Sequence, residues 1–325
     1  MSTAVVVQAG AALLGACVGS FLNVVAYRLP HEDPARRSLG GRSRCPRCRQ
    51  QIAWYDNLPV LGWLLRGGRA RCCGGRIGIR YPIVEAATAA LYWSVVAFPP
   101  RAHLAGQDFA APLHATGTAW AAVLVLWVFI ALLVAAALID LDTYLLLDVL
   151  TKPGMAIGLA AGLWPGVAGR LAGDPSVPPN LDSLLASVLG LLVGGGVVWL
   201  VRVAGSRVFR KEAMGFGDVK YLAMIGAFLG WQEALLTLFL ACICGAALGA
   251  VGLCFGGSAR IPFGPYLAVG ALAAMFVREP TLEFLFVTWP EWQRGSSSAP
   301  WLLSAAAVLS LLALFVVIRK GRRAG

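Results

Sequence analysis

The chain predicts an all-α polytopic membrane protein, a bundle of eight to nine transmembrane helices with one small cytoplasmic loop domain that carries candidate zinc ligands. Three observations predict it. Hydrophobic residues make up 58% of the 325 positions and charged residues only 13%, where a soluble domain carries about 25% charged residues. Apolar runs recur at 4–26, 83–98, 119–139, 149–168, 184–201, 219–229, 234–255, 264–277 and 301–318. The basic residues gather in alternate connections between those runs.

Several runs reach the roughly 20 residues that a helix needs to cross a bilayer. The runs 83–98, 219–229 and 264–277 are short and need flanking residues or a thin bilayer. The region 219–255 decides between eight and nine spans, because Gly230-Trp231-Gln232-Glu233 fits either a tight turn or a helix kink. The alternation of a membrane barrel is absent, and helices are then the structure that satisfies its own backbone in lipid.

With the N-terminus outside and nine spans, segments 27–82, 140–152, 202–220, 257–263 and 319–325 face one side and hold 23 of the 27 Lys and Arg. The other side keeps Arg101, Arg170, Arg278 and Arg294. By the positive-inside rule the rich side is cytoplasmic. The net charge of +11 is therefore a topology signal, and nucleic acid is not an expected partner although basic clusters do bind polyanions. Residues 4–26 lack a positive segment ahead of them and have basic residues after them, so they read as a retained first span and not a cleaved signal.

The expected organisation follows in order. Residues 1–26 form the first transmembrane helix. Residues 27–82 form a cytoplasmic Cys/Arg-rich loop domain, near the lower size limit for an independent core and helped by a metal or by membrane docking. Residues 83–278 form the transmembrane core. Residues 279–325 add an outer loop, an extra C-terminal span and the basic tail Arg319-Lys320-Gly321-Arg322-Arg323.

Two constellations carry chemistry. Gly215-Phe216-Gly217-Asp218-Val219-Lys220 places an acid and a base at the lip of an apolar run. Ionisable residues are costly there and are functional candidates. The glycines Gly215 and Gly217 permit a tight bend and leave room for a substrate backbone, and Lys220 either stabilises the ionised form of Asp218 or meets lipid phosphate. A partner is available at Asp140-Leu141-Asp142, followed by Asp148. The third span ends and the sixth begins on the same side, so carboxylates from two helices share one membrane depth. Asp140, Asp142 and Asp148 all remain candidates to pair with Asp218, with Asp140 nearest the apolar run and Asp148 placed to cap the next helix. A dyad of this kind splits its two titrations and serves as acid and base.

The second constellation is Cys45-Pro46-Arg47-Cys48 with Cys72-Cys73. In a reducing compartment such spacing favours zinc over a disulfide, although adjacent cysteines ligate one metal only with strain. Cys17, Cys242, Cys244 and Cys254 lie in apolar runs as packing residues. His31, His103 and His114 have no metal-ligand spacing. Glu85, near the start of the second run, is an odd acid that suits a structural role, a pairing with Arg80 or the lining of the same cavity.

Taken together, these residues resemble the type IV prepilin peptidases, bacterial inner-membrane aspartic proteases. The resemblance runs from about Gly19 to Gly270. It includes Gly19-Ser20-Phe21-Leu22-Asn23, Tyr27-Arg28-Leu29-Pro30, Cys45-Pro46-Arg47-Cys48, Asp56-Asn57-Leu58-Pro59, Arg80-Tyr81-Pro82-Ile83-Val84-Glu85, Ile139-Asp140-Leu141-Asp142, Gly215–Lys220 and Ile261-Pro262-Phe263-Gly264-Pro265. The resemblance implies a fold and a function. Its members cleave the leader of prepilins and pseudopilins at the cytoplasmic face, and many then N-methylate the new N-terminus with S-adenosylmethionine. The catalytic aspartates it implies are Asp140 and Asp218. Three departures stand out. Leu147 precedes Asp148 where the family has proline. The family's second cysteine pair falls at 70 and 73, where this chain has Ala70 and an added Cys72. The family generally ends soon after 261–265, so span 301–318 is an addition.

The expected function is removal of the leader at the cytoplasmic face, followed by N-methylation; no residues are assigned to S-adenosylmethionine, since 27–82 lacks the glycine fingerprint of a dinucleotide-type fold. A peptidase without methylation is the alternative. A transporter with a carboxylate proton relay would place ionisable residues near mid-span and often show repeats, whereas here the acids cluster at one face.

Overall fold

The computed structural model describes residues 3–33, 37–45, 47–98, 117–171, 181–210, 212, 214–254, 262–295 and 301. The expected extra span 301–318, its basic tail and the outer-loop histidines His103 and His114 lie outside the described residues, apart from Trp301. Residues 1–276 form one compact unit and 277–325 a second.

Nine helices of seven residues or more are found among the described residues: α1 Thr3–Arg28, α2 Arg80–Ala97, α3 Gly117–Thr143, α4 Asp148–Leu171, α5 Leu181–Phe209, α6 Phe216–Leu229, α7 Trp231–Cys254, α8 Gly264–Glu283 and α9 Trp289–Gly295. No strand is present among the described residues; two isolated bridges, Arg44 with Gln51 and Arg69 with Arg76, are the nearest approach. Each of the first eight apolar runs thus becomes one helix, and the all-helical expectation holds. The 219–255 question is settled by Gly230, whose φ of +98° is open to glycine and strained for other residues. α6 ends there and α7 turns back as a hairpin, with Gly190 against Gly226 and Gly230 and Gly194 against both Leu222 and Ala234.

Among the described residues four helices are long and apolar enough to cross a membrane: Thr3–Arg28, Trp120–Thr143, Ser183–Val208 and Trp231–Gly249. The others fall short for local reasons. α2 carries Arg80 and Glu85, and α4 carries Asp148 and Lys152. α6 has 14 residues, about 21 Å at 1.5 Å per residue, against a hydrocarbon core of about 30 Å. It is enclosed by protein: every residue from Asp218 to Leu229 except Lys220 is buried.

Small residues bring the backbones together, as expected where lipid offers helices no hydrophobic drive to associate. Gly15 and Gly19 of α1 lie against Tyr92, Thr88 and Glu85 of α2, where an added Cβ would stand 2.7 to 3.0 Å from its neighbours. α2 meets α3 through Tyr92 and Trp127, whose rings stack at 5.0 Å while each donates to the other's backbone carbonyl. α3 grips α6 through Phe129 on Phe228 and through the Tyr221 hydroxyl, which donates to the Leu133 carbonyl at 3.0 Å. Gly154 and Gly158 of α4 face Met224 and Ala227 of α6.

The second unit holds the chain beyond Val277, whose φ of −110° and ψ of 15° interrupt the helix. There a π-helical turn at Phe284–Thr288 leads into α9, and Trp289 contacts Phe284 and Trp292.

Candidate active site

Helix ends from six elements meet at one end of the first unit. Asn23 of α1 donates to the Tyr81 carbonyl of α2 at 3.3 Å, Arg80 of α2 pairs with Asp142 of α3, and Lys220 of α6 pairs with Asp148 of α4. The backbone amide of Gly264, at the start of α8, donates to Asp140 Oδ2 at 2.8 Å. That amide is one of the donors a helix N-terminus leaves free, and the dipole there favours a carboxylate.

Asp140 is 4% exposed and Asp218 9%. Asp140 stands one turn before the end of α3. Asp218 is the third residue of α6, behind an extended Gly215 at the N-cap with φ −66° and ψ 146°, and its Oδ2 is turned back toward Gly215. An acid three residues after the cap is placed to face the orphan N–H groups of that helix end. Asp140 and Asp218 lie close enough to interact electrostatically. Two buried carboxyls from different helices thus lie within reach of each other, the arrangement in which like charges separate into an acid and a base.

The other acids are taken up elsewhere. Asp142 is exposed and paired with Arg80, which also donates to the Leu138 carbonyl at 3.3 Å. Asp148 pairs with Lys152 at 2.8 Å and with Lys220, and both ammonium groups hold its carboxyl below the usual range. In the Gly215–Lys220 stretch, Lys220 bonds Asp148 and covers the Phe216 ring at 4.9 Å. The space expected for a substrate backbone at Gly217 is filled by Leu146, whose Cβ would stand 2.7 Å from an added Cβ. Gly217 therefore lets the α3–α4 connection pass. Arg202 of α5 braces the approach to α6 by donating to the Met214 carbonyl at 3.0 Å and lying over Phe216.

Glu85 is buried and accepts the Val60 N–H at 2.7 Å; Arg80, one expected partner, is engaged with Asp142. Sequence reasoning gave Gly264 no role. At that position an added Cβ would meet Asp140 Oδ2 at 2.6 Å, so only glycine lets the amide approach. Its signal was the adjacent Pro265, a residue suited to the first turn of a helix.

The four cysteines come together. Their Sγ atoms all lie within 4.8 Å of one another, with Cys45 and Cys73 at 3.8 Å and Cys48 and Cys72 at 3.3 Å. Zn–S bonds of about 2.3 Å in a tetrahedron put sulfurs about 3.8 Å apart, so the donor set fits such an ion. The two hairpins have the same build. Arg49 N–H bonds the Cys45 carbonyl at 2.9 Å and Gly74 N–H the Ala70 carbonyl at 2.8 Å; Arg49 and Gly74 both have positive φ; and Cys45 and Ala70 donate to Gln50 and Gly75. Ala70 thus occupies the place equivalent to Cys45, and Cys72 supplies the fourth sulfur from the neighbouring position. The backbone amides of Cys48 and Arg47 bring the Cys45 thiol down to about 6, while the hydrogen bond to Cys48 pushes Cys72 up to about 12.

By fold and site the chain is a helical membrane protein with an enclosed carboxyl pair where its helix ends meet. Residues 13–98 match the bacterial peptidase A24 N-terminal domain and residues 127–250 the type IV leader peptidase family. The chain is 37% identical over 286 residues to the prepilin leader peptidase/N-methyltransferase of Pseudomonas aeruginosa, covering 81% of this chain and 88% of that protein. It is 38% identical over 232 residues to the protein of the same name from Klebsiella pneumoniae, covering 70% and 88%. With that of Myxococcus xanthus it shares 37% identity over 237 residues, 73% of this chain but 60% of the relative's length. The chain belongs to the type IV leader peptidase family, among the prepilin leader peptidase/N-methyltransferases. No solved structure matches it significantly.

Proposed function

We propose that the chain is an aspartic endopeptidase that removes the leader of type IV prepilins and pseudopilins at the cytoplasmic face of the bacterial inner membrane, with Asp140 and Asp218 as its catalytic pair. The observation that carries this reading is the burial of those two carboxyls, from α3 and α6, within electrostatic reach of each other. The ionised member takes a proton from water as its oxygen adds to the scissile carbonyl carbon. The protonated member gives its proton to the carbonyl oxygen, and the leaving amine takes a proton as the C–N bond breaks. The Gly264 amide fixes the rotamer of Asp140. The charge asymmetry of the loops supports the cytoplasmic placement, with residues 27–82 as the loop domain on that side and the lipid bilayer as the chain's constant partner.

Cys45, Cys48, Cys72 and Cys73 would hold a zinc ion, which when bound crosslinks the two hairpins of the loop domain. The new N-terminus is then N-methylated, as the names of the relatives imply, with S-adenosylmethionine as donor. The carboxyl pair does not account for methyl transfer, and residues 27–82 lack the glycine fingerprint of a dinucleotide-type fold.

The test is Asp140→Asn and Asp218→Asn, each assayed in membranes with a prepilin substrate. Each variant is expected to lose cleavage by about 100-fold or more, the scale of acid–base catalysis; near-normal cleavage by either would refute the pair. Mass spectrometry of the processed N-terminus, with donor present, decides methylation separately.

A further inference from the structure

Residues 58–65 read Leu-Pro-Val-Leu-Gly-Trp-Leu-Leu, eight apolar positions in a segment otherwise rich in arginine. One of them supplies the small core of its lobe. Trp63 donates through Nε1 to the Ile77 carbonyl at 3.1 Å, and its ring covers Gly68, where an added Cβ would stand 2.9 Å away. Its neighbours turn outward. Leu61, Leu64 and Leu65 sit at helical spacing on one face, and Leu65 is 81% exposed. Trp54, 79% exposed, Tyr55, Leu58 and Ile79 add to the exposed apolar surface, with the Trp54 and Tyr55 rings edge to face at 5.7 Å. Large apolar side chains exposed together in this way mark an interaction site.

The tether to α2 sets the depth of this surface. Val60 has φ 60° and ψ −51°, a backbone that a β-branched residue avoids. It is the centre of a γ-turn closed from Leu61 N–H to the Pro59 carbonyl. The Val60 N–H is held by Glu85, a buried acid in the second turn of α2, two residues inside the apolar run 83–98. Strain persists where surrounding structure over-determines it, and here the buried Glu85 holds the run against the second turn of α2. The charge of the surroundings is of one sign. Asp56 is engaged by Arg66 and Arg71, whereas Arg69 and Arg76, paired across an isolated bridge, are exposed and form no ion pair among the described residues.

We propose that residues 54–65 with Ile79 form a membrane-docking surface, which seats Trp54, Leu61, Leu64 and Leu65 at the headgroup–acyl boundary of the adjoining leaflet and uses Arg69 and Arg76 to engage anionic lipid headgroups. Tryptophan and tyrosine favour that boundary, and arginines beside it are drawn to an anionic leaflet. The four-cysteine cluster is thereby held against the bilayer instead of standing free in solvent.

The test uses the full-length protein in lipid nanodiscs. The emission of the wild type minus that of Trp54→Phe isolates Trp54, an exposed side chain outside the helical core. With acyl chains brominated near the headgroup, Trp54 is expected to lose most of its emission, more in phosphatidylglycerol than in phosphatidylcholine. Leu65→Asp is expected to reduce the quenching, and Arg69→Glu with Arg76→Glu to abolish the difference between the two lipids. A Trp54 quenched by aqueous iodide and untouched by brominated lipid overturns the proposal. Quenching by a spin-labelled prepilin peptide in place of brominated lipid overturns it too, in favour of a substrate dock. Equal quenching in both lipids overturns the role of the arginines. The readout is lipid contact and not hydrolysis, so failure here leaves the peptidase reading as it stands.

Discussion

A single missing side chain decides the placement of Asp140. Gly264→Ala puts a carbon within 2.6 Å of its Oδ2, and the carboxyl then rotates away from the amide. The expected outcome is a loss of cleavage of at least tenfold, about 1.4 kcal/mol in barrier, with the melting temperature in detergent nearly unchanged; a Gly264→Ala enzyme of normal kcat/KM would show that the amide positions nothing. The Arg80–Asp142 pair behaves differently. Its side chains are 40% and 38% exposed, so solvent screening limits its coupling to about 1 kcal/mol or less in a double-mutant cycle. At this scale the sequence was informative about residue type and poor about partners. Costly acids at membrane depth were visible in the chain, but whether Lys220 meets Asp218 or Asp148 depends on how α4 and α6 are set against each other, which no local pattern encodes.

At the scale of elements, the two cysteine hairpins make a sharp case. Their backbones have the same hydrogen bonds and the same positive-φ positions, with Ala70 standing where Cys45 stands. Cys72→Ser is expected to lose bound zinc, and Ala70→Cys added to Cys72→Ser is expected to recover it, both read as metal per chain after gel filtration. Failure of the double variant would show that the hairpins are not equivalent. Zinc uptake at pH 7 should also release protons, since Cys72 is held up to about 12 and must ionise to ligate. The sequence showed the vicinal pair as strained, because spacing alone does not reveal that the sulfurs need only come from neighbouring positions of one turn. Helix existence was legible in the first eight apolar runs. The break at Gly230 was not, since a glycine inside an apolar run marks a kink as readily as a hairpin.

The whole first unit is organised around α6, a helix too short to span and enclosed along its length. Its neighbours approach through glycines, and Gly190→Ala or Gly226→Ala drives a new carbon into the opposing backbone. Each is expected to cost about 3 kcal/mol or more, the upper end for overpacking, seen as a large fall in melting temperature in detergent; a loss under about 1 kcal/mol would mean the two helices separate freely. Gly194-Gly195-Gly196 is the run of small residues in α5 whose composition suits a close helix contact. In the fold Gly194 and Gly195 face Leu222 and Ala223, while Gly196 meets nothing within 4 Å, and the tightest approach falls one turn earlier, at Gly190. Periodicity locates a packing face, but the crossing point depends on the tilt of both helices.

The Gly190–Gly226 contact also limits how this protein is able to change. Most packed positions tolerate a larger residue if the facing one shrinks, so paired substitutions open routes between sequences. Here both partners already have the smallest side chain, and no second-site change makes room. In a saturation library the two positions should be intolerant singly and in every combination, a dead end for drift at the centre of the apolar bundle.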